Sequence, residues 1–144
     1  MRSSFFFLLL LIFSCNSSQT KTPAKVEGWE TQLDQVMQVH DKVMPFTSKI
    51  VNLNKRLKSF EDKHPNLSKD EKQRLEDVQN QLTKAEEGMW DWMHGFVQPN
   101  EKDDVQKARL YLENEHQKIS AVSDAMTSSM NAAKKIITDL NIPE

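Results

Sequence analysis

The chain has 144 residues, enough for one domain, and its net charge of -2 lacks the strongly basic balance typical of nucleic-acid-binding proteins. Only three Gly and five Pro are present, which disfavours a many-stranded sheet because hairpins and strand ends usually need them. A single Cys excludes an intrachain disulfide and a CxxC metal or redox site. Four of the seven Phe lie within the first thirteen residues, so the N-terminus differs in composition from the rest of the chain.

Residues 1–14 have the pattern of a secretory signal peptide. Arg2 precedes the apolar run FFFLLLLIF, which is too short for a transmembrane helix of about 20 residues but fits the apolar core of a signal sequence. The run ends at Ser14 and Cys15, which resemble the lipobox of bacterial lipoproteins, although Phe13 is bulkier than that motif usually has. We therefore expect Cys15 to become the first mature residue and to carry several acyl chains, which together anchor a protein stably. The alternative is an ordinary signal peptide with an incidental Cys, but no A-x-A-like cleavage site follows the run.

Residues 15–26 combine the predicted lipidated Cys with a polar tether rich in Ser, Thr and Lys, which has too little apolar surface to fold. Asn16, rather than Asp, follows the Cys. By analogy with lipoprotein sorting rules, this predicts anchoring in the bacterial outer membrane. No acidic cluster follows, which favours a domain that faces the periplasm over one exposed at the cell surface, although both orientations stay open.

From residue 27 to 144 we predict a helical bundle domain, because apolar residues recur at alternating steps of three and four. Three stripes of such positions are present. The first is Trp29, Leu33, Val36, His40, Val43, Thr47, Ile50, Leu53, Leu57 and Phe60. The second is Leu75, Val78, Leu82, Ala85, Met89, Trp92 and Phe96. The third is Val105, Ala108, Leu112, Glu115, Ile119, Val122, Met126, Ser129, Ala133, Ile136 and Leu140.

Local signals place the ends of these helices. Ser68 and Glu71 have the spacing of a capping box at the start of the second helix, which Gly95 is expected to close. Asn100 is expected to cap the third helix, with Asp103 and Asp104 in its first turn.

The predicted fold is all-α: an up-down-up antiparallel bundle of three long helices, in which the first helix is kinked or broken at Pro45. A full break at Pro45 would give four helices instead of three. Turns near Pro65 and Pro99 would place His40 level with Met89, and Met89 level with Arg109.

A group of thioethers and one imidazole falls in one half of this predicted bundle: Met37, His40, Met44, Met89 and Met93. Thioether and imidazole ligands suit Cu(I), and a facing His and Met could ligate haem axially, so a copper or haem site is one interpretation. The alternative is that Met fills core gaps beside Trp92, while Asp41, Glu115 or a backbone carbonyl satisfies His40. A soft core of this kind could also open to accept a lipid or peptide.

The motifs do not favour an enzyme. The sequence has no Gly-rich phosphate loop, GxSxG or HExxH. We interpret the pairs at 86–87 and 103–104 as a solvated helix face and first-turn charge. Glu115 lies on the third stripe, where we expect it to extend to solvent or to pair with a Lys rather than act as a base.

Two motifs resemble known proteins. HDKVMP at residues 40–45, with the stripe through Leu57, and MWDWM at residues 89–93 are similar to small helical bacterial lipoproteins catalogued as viral A-type inclusion protein-like. The resemblance covers roughly residues 28–96. It implies a helical fold and an envelope location, and it transfers no functional residue because that family has no defined activity.

Together these features predict a non-enzymatic, acylated envelope lipoprotein whose bundle is a structural or protein-interaction module, with soft-metal or haem binding as the alternative. Its expected partners are the membrane, through the lipid anchor, and an envelope protein that the sequence does not identify. Self-association stays open because long apolar helix stripes can pair with copies of themselves.

Overall fold

A computed structural model describes residues 28–143 of the chain. The predicted signal peptide, lipidated Cys15 and tether lie outside the described residues. Within residues 28–143 the structure is 81% helical and contains no strand, which confirms the all-α prediction. The helices are α1 (Glu30–Val43), α2 (Phe46–Lys63), α3 (Lys69–Gly95) and α4 (Val105–Asp139).

The helices α1 and α2 are two segments of one long helix, bent by 31° at Pro45. The bend follows from the chemistry of Pro45, which has no backbone N–H and whose ring crowds the preceding turn. The chain continues as a helix after it, because the Thr47 N–H and hydroxyl both donate to the Met44 carbonyl, at 3.2 and 2.7 Å. The bundle therefore has three long helices, the first of them kinked.

The predicted capping box at the start of α3 is confirmed. Ser68 Oγ accepts from the Glu71 amide at 3.2 Å, and Glu71 Oε2 accepts from the Ser68 amide at 2.8 Å. These bonds from Ser68 hold the pKa of the Glu71 carboxyl below its ordinary value. At the other end, α3 stops at Gly95 as predicted.

The predicted cap of α4 is wrong. Asp104, not Asn100, caps this helix, and its Oδ1 accepts from the Lys107 amide at 2.9 Å. Asn100 is instead engaged in a turn of its own, where its backbone N–H donates to Asp103 Oδ2 at 2.8 Å. The side chain that caps α4 is therefore the carboxylate of Asp104, directly before the helix, and not the amide of Asn100.

The apolar stripes form the core as predicted. With one exception, their members are buried or half-buried; Val105, at the tip of the bundle, is exposed. The largest fully enclosed side chains are Val36, Val43, Ile50, Leu57, Leu75, Leu82, Met89, Leu112, Ile119, Met126 and Ser129.

The helix packing is consistent with the predicted up-down-up order. Between α2 and α3, Asn54 Nδ2 donates to Thr83 Oγ1 at 3.0 Å, and Gln79 Nε2 donates to Glu61 Oε2 at 3.2 Å. The residue numbers rise along α2 while they fall along α3, as antiparallel neighbours require. The helix α1 contacts mainly α4, whereas α2 contacts both α3 and α4.

The predicted register between α3 and α4 is wrong. A turn near Pro99 would place Gly88 level with Leu110, but Gly88 lies beside Val122, roughly three helical turns further along α4. The cause is the connection after Gly95, which does not reverse sharply. Phe96 is extended (φ -75°, ψ 126°), and the Val97 N–H donates to Tyr111 Oη at 2.8 Å, so this segment runs along the first turns of α4.

The start of α4 therefore projects beyond the end of α3 and lies beside α1, where Gln32 and Arg109 line a common groove. None of the helices in residues 28–143 combines the length and apolar character needed to cross a membrane.

Candidate functional site

His40 occupies the apolar flank of α1 with 16% of its side chain exposed. Its Nδ1 lies 2.9 Å from Asp41 Oδ1, so Asp41 is the one of the three predicted polar partners that His40 contacts. Its ring lies 5.5 Å from the Trp92 ring, tilted by 33°. Met89 was predicted to lie level with His40, and Trp92 lies about one helical turn after Met89. His40 therefore does meet α3 in this half of the bundle, and its Nε2 makes no hydrogen bond within the described residues.

A row of aromatic rings continues from this contact. Trp92 stacks on Phe96 at 4.9 Å, and Phe96 stacks on Tyr111 at 6.2 Å. The indole Nε1 of Trp92 is buried and has no hydrogen-bond partner within residues 28–143. A buried donor without a hydrogen-bond partner lowers the stability of a fold by about 1–3 kcal/mol. The hydrogen bonding of buried polar groups is therefore incomplete at this end of the core.

The four thioethers of the predicted site are spread between the core and its edge. Met89 is fully buried, Met44 and Met93 are half-buried against the core, and Met37 is half-buried on the flank of α1. Met89 and Met93 flank Trp92 in sequence, so the contact between His40 and Trp92 brings α1 to this part of α3.

Other metal ligands are sparse in this region. Across residues 28–143, no three His, Cys, Asp or Glu side chains are grouped closely enough to hold a metal ion. A metal bound near His40 would therefore depend on thioether sulfur, which binds soft ions such as Cu(I). His94 is exposed as predicted, with its ring 6.4 Å from that of Trp90.

Glu115 is a buried carboxylate on α4, with 3% of its side chain exposed. Its Oε1 accepts from Lys118 Nζ at 2.7 Å, which confirms the predicted pairing with a Lys. This hydrogen bond raises the pKa of Lys118. The pair lines a cavity of about 300 Å³ between α3 and α4, beside Gly88 and Trp92. Glu115 is therefore the buried member of an ion pair whose other member, Lys118, is exposed.

No motif in the sequence indicated a site at the end of the bundle where α2 and α4 finish. There Arg56 on α2 donates to the carbonyls of Ile142 and Pro143, at 2.7 and 2.8 Å, and closes one wall of a pocket of about 410 Å³. The signal in the sequence was the spacing of Arg56, Ser59 and Lys63, which places them on one face of a helix.

No protein-family model matches the chain, and neither a curated protein nor a solved structure is significantly similar to it. The resemblance of HDKVMP and MWDWM to small helical lipoproteins therefore stays a prediction, and so does every function that the sequence suggested.

Proposed function

We propose that the chain is an acylated lipoprotein of the bacterial cell envelope, anchored in the outer membrane through Cys15. Its helical bundle would act as a structural or protein-interaction module that faces the periplasm. The observation that carries this proposal is the apolar run at residues 5–13, which ends at Ser14 and Cys15 and is followed by a polar tether. A compact helical bundle, with a buried core after the tether, is a suitable body for such a module.

Exposed apolar side chains support an interaction role. Within the described residues, the large hydrophobic side chains most open to solvent are Trp90, Val97, Val105 and Leu110, and the exposed fractions of Val97 and Leu110 reach 70% and 67%. All four lie around the connection from α3 to α4. The start of α1 lies beside the first turns of α4, where Gln32 and Leu110 line one groove. Grouped exposed apolar side chains often mark protein contacts.

The anchor is tested by metabolic labelling with a fatty acid in a bacterial host. Cys15→Ala should remove the acyl label and leave the precursor uncleaved, because the thiol that accepts the lipid is gone. Ser18→Ala, in the tether, is the matched control and should keep both label and cleavage. Acyl label retained in Cys15→Ala would contradict the proposal.

The interaction role is tested by a photo-crosslinking amino acid placed in the chain within intact cells. At Leu110 it should capture a discrete envelope protein, whereas at Lys58, an exposed position on α2, it should not. The same products from both positions, or none from Leu110 and Trp90, would count against a partner at this end.

A second candidate function is soft-metal binding, favoured by the hydrogen bond between His40 and Asp41. A carboxylate on one ring nitrogen orients the imidazole and leaves the other nitrogen for a metal. Cu(I) titrated against a competing chelator should bind with a stoichiometry of about one. The binding should be lost in His40→Ala and kept in His94→Ala, and haem is tested with the same two variants by absorbance. Equal binding by both variants, or none by the parent chain, would exclude this function.

A further inference from the structure

A pocket of about 410 Å³ lies at the end of the bundle opposite the start of α1. It is formed where α2 ends and where the chain leaves α4, so it combines two segments that are far apart in sequence. One wall is the face of α2 from Lys55 to Lys63, and the other is Ile142 and Pro143.

The lining of this pocket is positively charged. Its described members include the cations Lys55, Arg56 and Lys63 but no Asp or Glu. The acidic residues of this part of α2 point elsewhere: Glu61 and Asp62 pair with Lys58, at 3.5 and 2.9 Å. In a chain of net charge -2, this is a local surplus of positive charge that no carboxylate among the described lining residues offsets.

The basic side chains of the pocket differ in whether they already form contacts within the protein. Arg56 is committed to the structure, because its Nε and Nη2 donate to the carbonyls of Pro143 and Ile142. Lys55 and Lys63 are exposed and form no ion pair with a side chain in residues 28–143. These two ammonium groups can therefore turn toward a ligand without breaking a described contact.

The rest of the lining is apolar and aromatic. The rings of Phe60 and His64 stack at 4.1 Å, and His64 Nδ1 lies 2.7 Å from the Phe60 carbonyl, which fixes the imidazole against the phenyl ring. Ile142 is buried beside them. The pocket therefore offers an apolar surface next to several cations.

We propose that this pocket binds an oxyanion, a phosphate or carboxylate, that is carried on an apolar group. The ammonium groups of Lys55 and Lys63 would contact the anion, and Phe60 with Ile142 would contact the apolar group. The site goes beyond the interaction role proposed above and does not depend on the anchor, because its lining residues lie at 55–64 and 142–143.

The test uses the full chain in a nonionic detergent and phenyl phosphate as the probe. Calorimetry should show saturable binding, and amide NMR signals of residues 55–64 and 142 should shift. Inorganic phosphate should bind at least about threefold more weakly, and benzyl alcohol should not bind, because each lacks one half of the recognised chemistry. Binding should also weaken as salt is added.

Substitutions distinguish a specific site in the pocket from a general attraction of the anion to positive charge on the protein surface. Lys55→Gln with Lys63→Gln should weaken phenyl phosphate binding about threefold or more. The matched control, Lys42→Gln with Lys84→Gln, removes the same charge from exposed positions that form no described ion pair and lie outside the pocket, so it should leave the affinity unchanged. Equal weakening in both double variants, or binding that never saturates, would overturn the proposal.

Two further arms identify the source of the anion and the state of the pocket. Competition by mixed micelles containing a phosphatidic acid, but not by those containing a phosphatidylcholine, indicates a lipid headgroup; no competition from either indicates a soluble compound. Binding that appears only after Glu144→Ala would mean that the chain's own carboxylate fills the pocket, and this would overturn the proposal.

Discussion

Arg56→Met tests the contact that joins the end of α2 to the segment after α4. The side chain of Met has a similar length but no donor, so the substitution removes both hydrogen bonds to the Ile142 and Pro143 carbonyls. It keeps most of the apolar stem in place. We expect the last turn of α4 and Ile142 to lose their attachment to α2, while the core around Leu57 stays intact.

The magnitude follows from two hydrogen bonds with a charged donor. Such bonds contribute about 1.5–3 kcal/mol each when well protected. Arg56 is half-buried, and the freed carbonyls can bond to water, so we expect a total loss of about 1–2 kcal/mol. For a domain of this size, that loss lowers the Tm by roughly 4–8 °C. Arg56→Lys keeps the charge but has a single donor group, so it should lose about half as much.

The free energy of unfolding is measured by urea titration with helical circular dichroism at 222 nm. Lys55→Met is the control, because it removes a neighbouring exposed cation that makes no described ion pair, and it should change stability by less than about 0.5 kcal/mol. Amide exchange should accelerate selectively near the end of α4. If Arg56→Met is as stable as Lys55→Met, the carbonyl contacts do not hold the two elements together and the reasoning is wrong.

Three further changes test local features by the same urea titration. Ser68→Ala removes the side-chain cap of α3 and should cost about 1 kcal/mol; an unchanged midpoint would contradict the capping box. Because the pKa of Glu71 is lowered in the fold, its contribution is complete well above the ordinary value of 4.5 and is lost as the pH falls through the lowered value. The parent chain should therefore lose more stability than Glu71→Gln between pH 6 and pH 3, and parallel profiles would refute this. Gly88→Ala should stabilise α3 by about 0.5–1 kcal/mol, since an added Cβ would lie 3.8 Å from Val122 Cγ2 in ordinary contact; a lower midpoint would show that the space is not free.

The local part of the fold could be predicted from the sequence. The helix period alone places residues such as Leu82 and Ile119 in the core, because burial on one face of a helix repeats every three or four residues. Ser68 and Glu71 likewise carry their capping information within four residues. The pairing of Glu115 with a Lys was also predicted, whereas its burial was not.

The features of the fold that were predicted wrongly or missed depend on contacts between residues that are distant in sequence. The register of α4 is set by an extended connection held by Val97 and Tyr111, and no helical period encodes the path of such a connection. The same holds for the basic pocket, whose wall depends on Arg56 meeting Ile142, 86 positions later. The contact of His40 with Trp92 lies about one turn from its predicted level, whereas the contact of Asn54 with Thr83 lies about two turns from the register that a turn near Pro65 predicts, so the path of that connection is not encoded in the helical period either.

The bend at Pro45 also sets how bending stiffness is distributed in the molecule. The helix α4 runs for 35 residues without a Gly or Pro, a length of about 52 Å, and it connects the end with the exposed apolar residues to the end with the basic pocket. On the facing side, the long helix loses a backbone hydrogen bond at Pro45. Strain applied between the two ends therefore concentrates at Pro45, with α4 as the rigid strut and α1 as the segment that changes its angle.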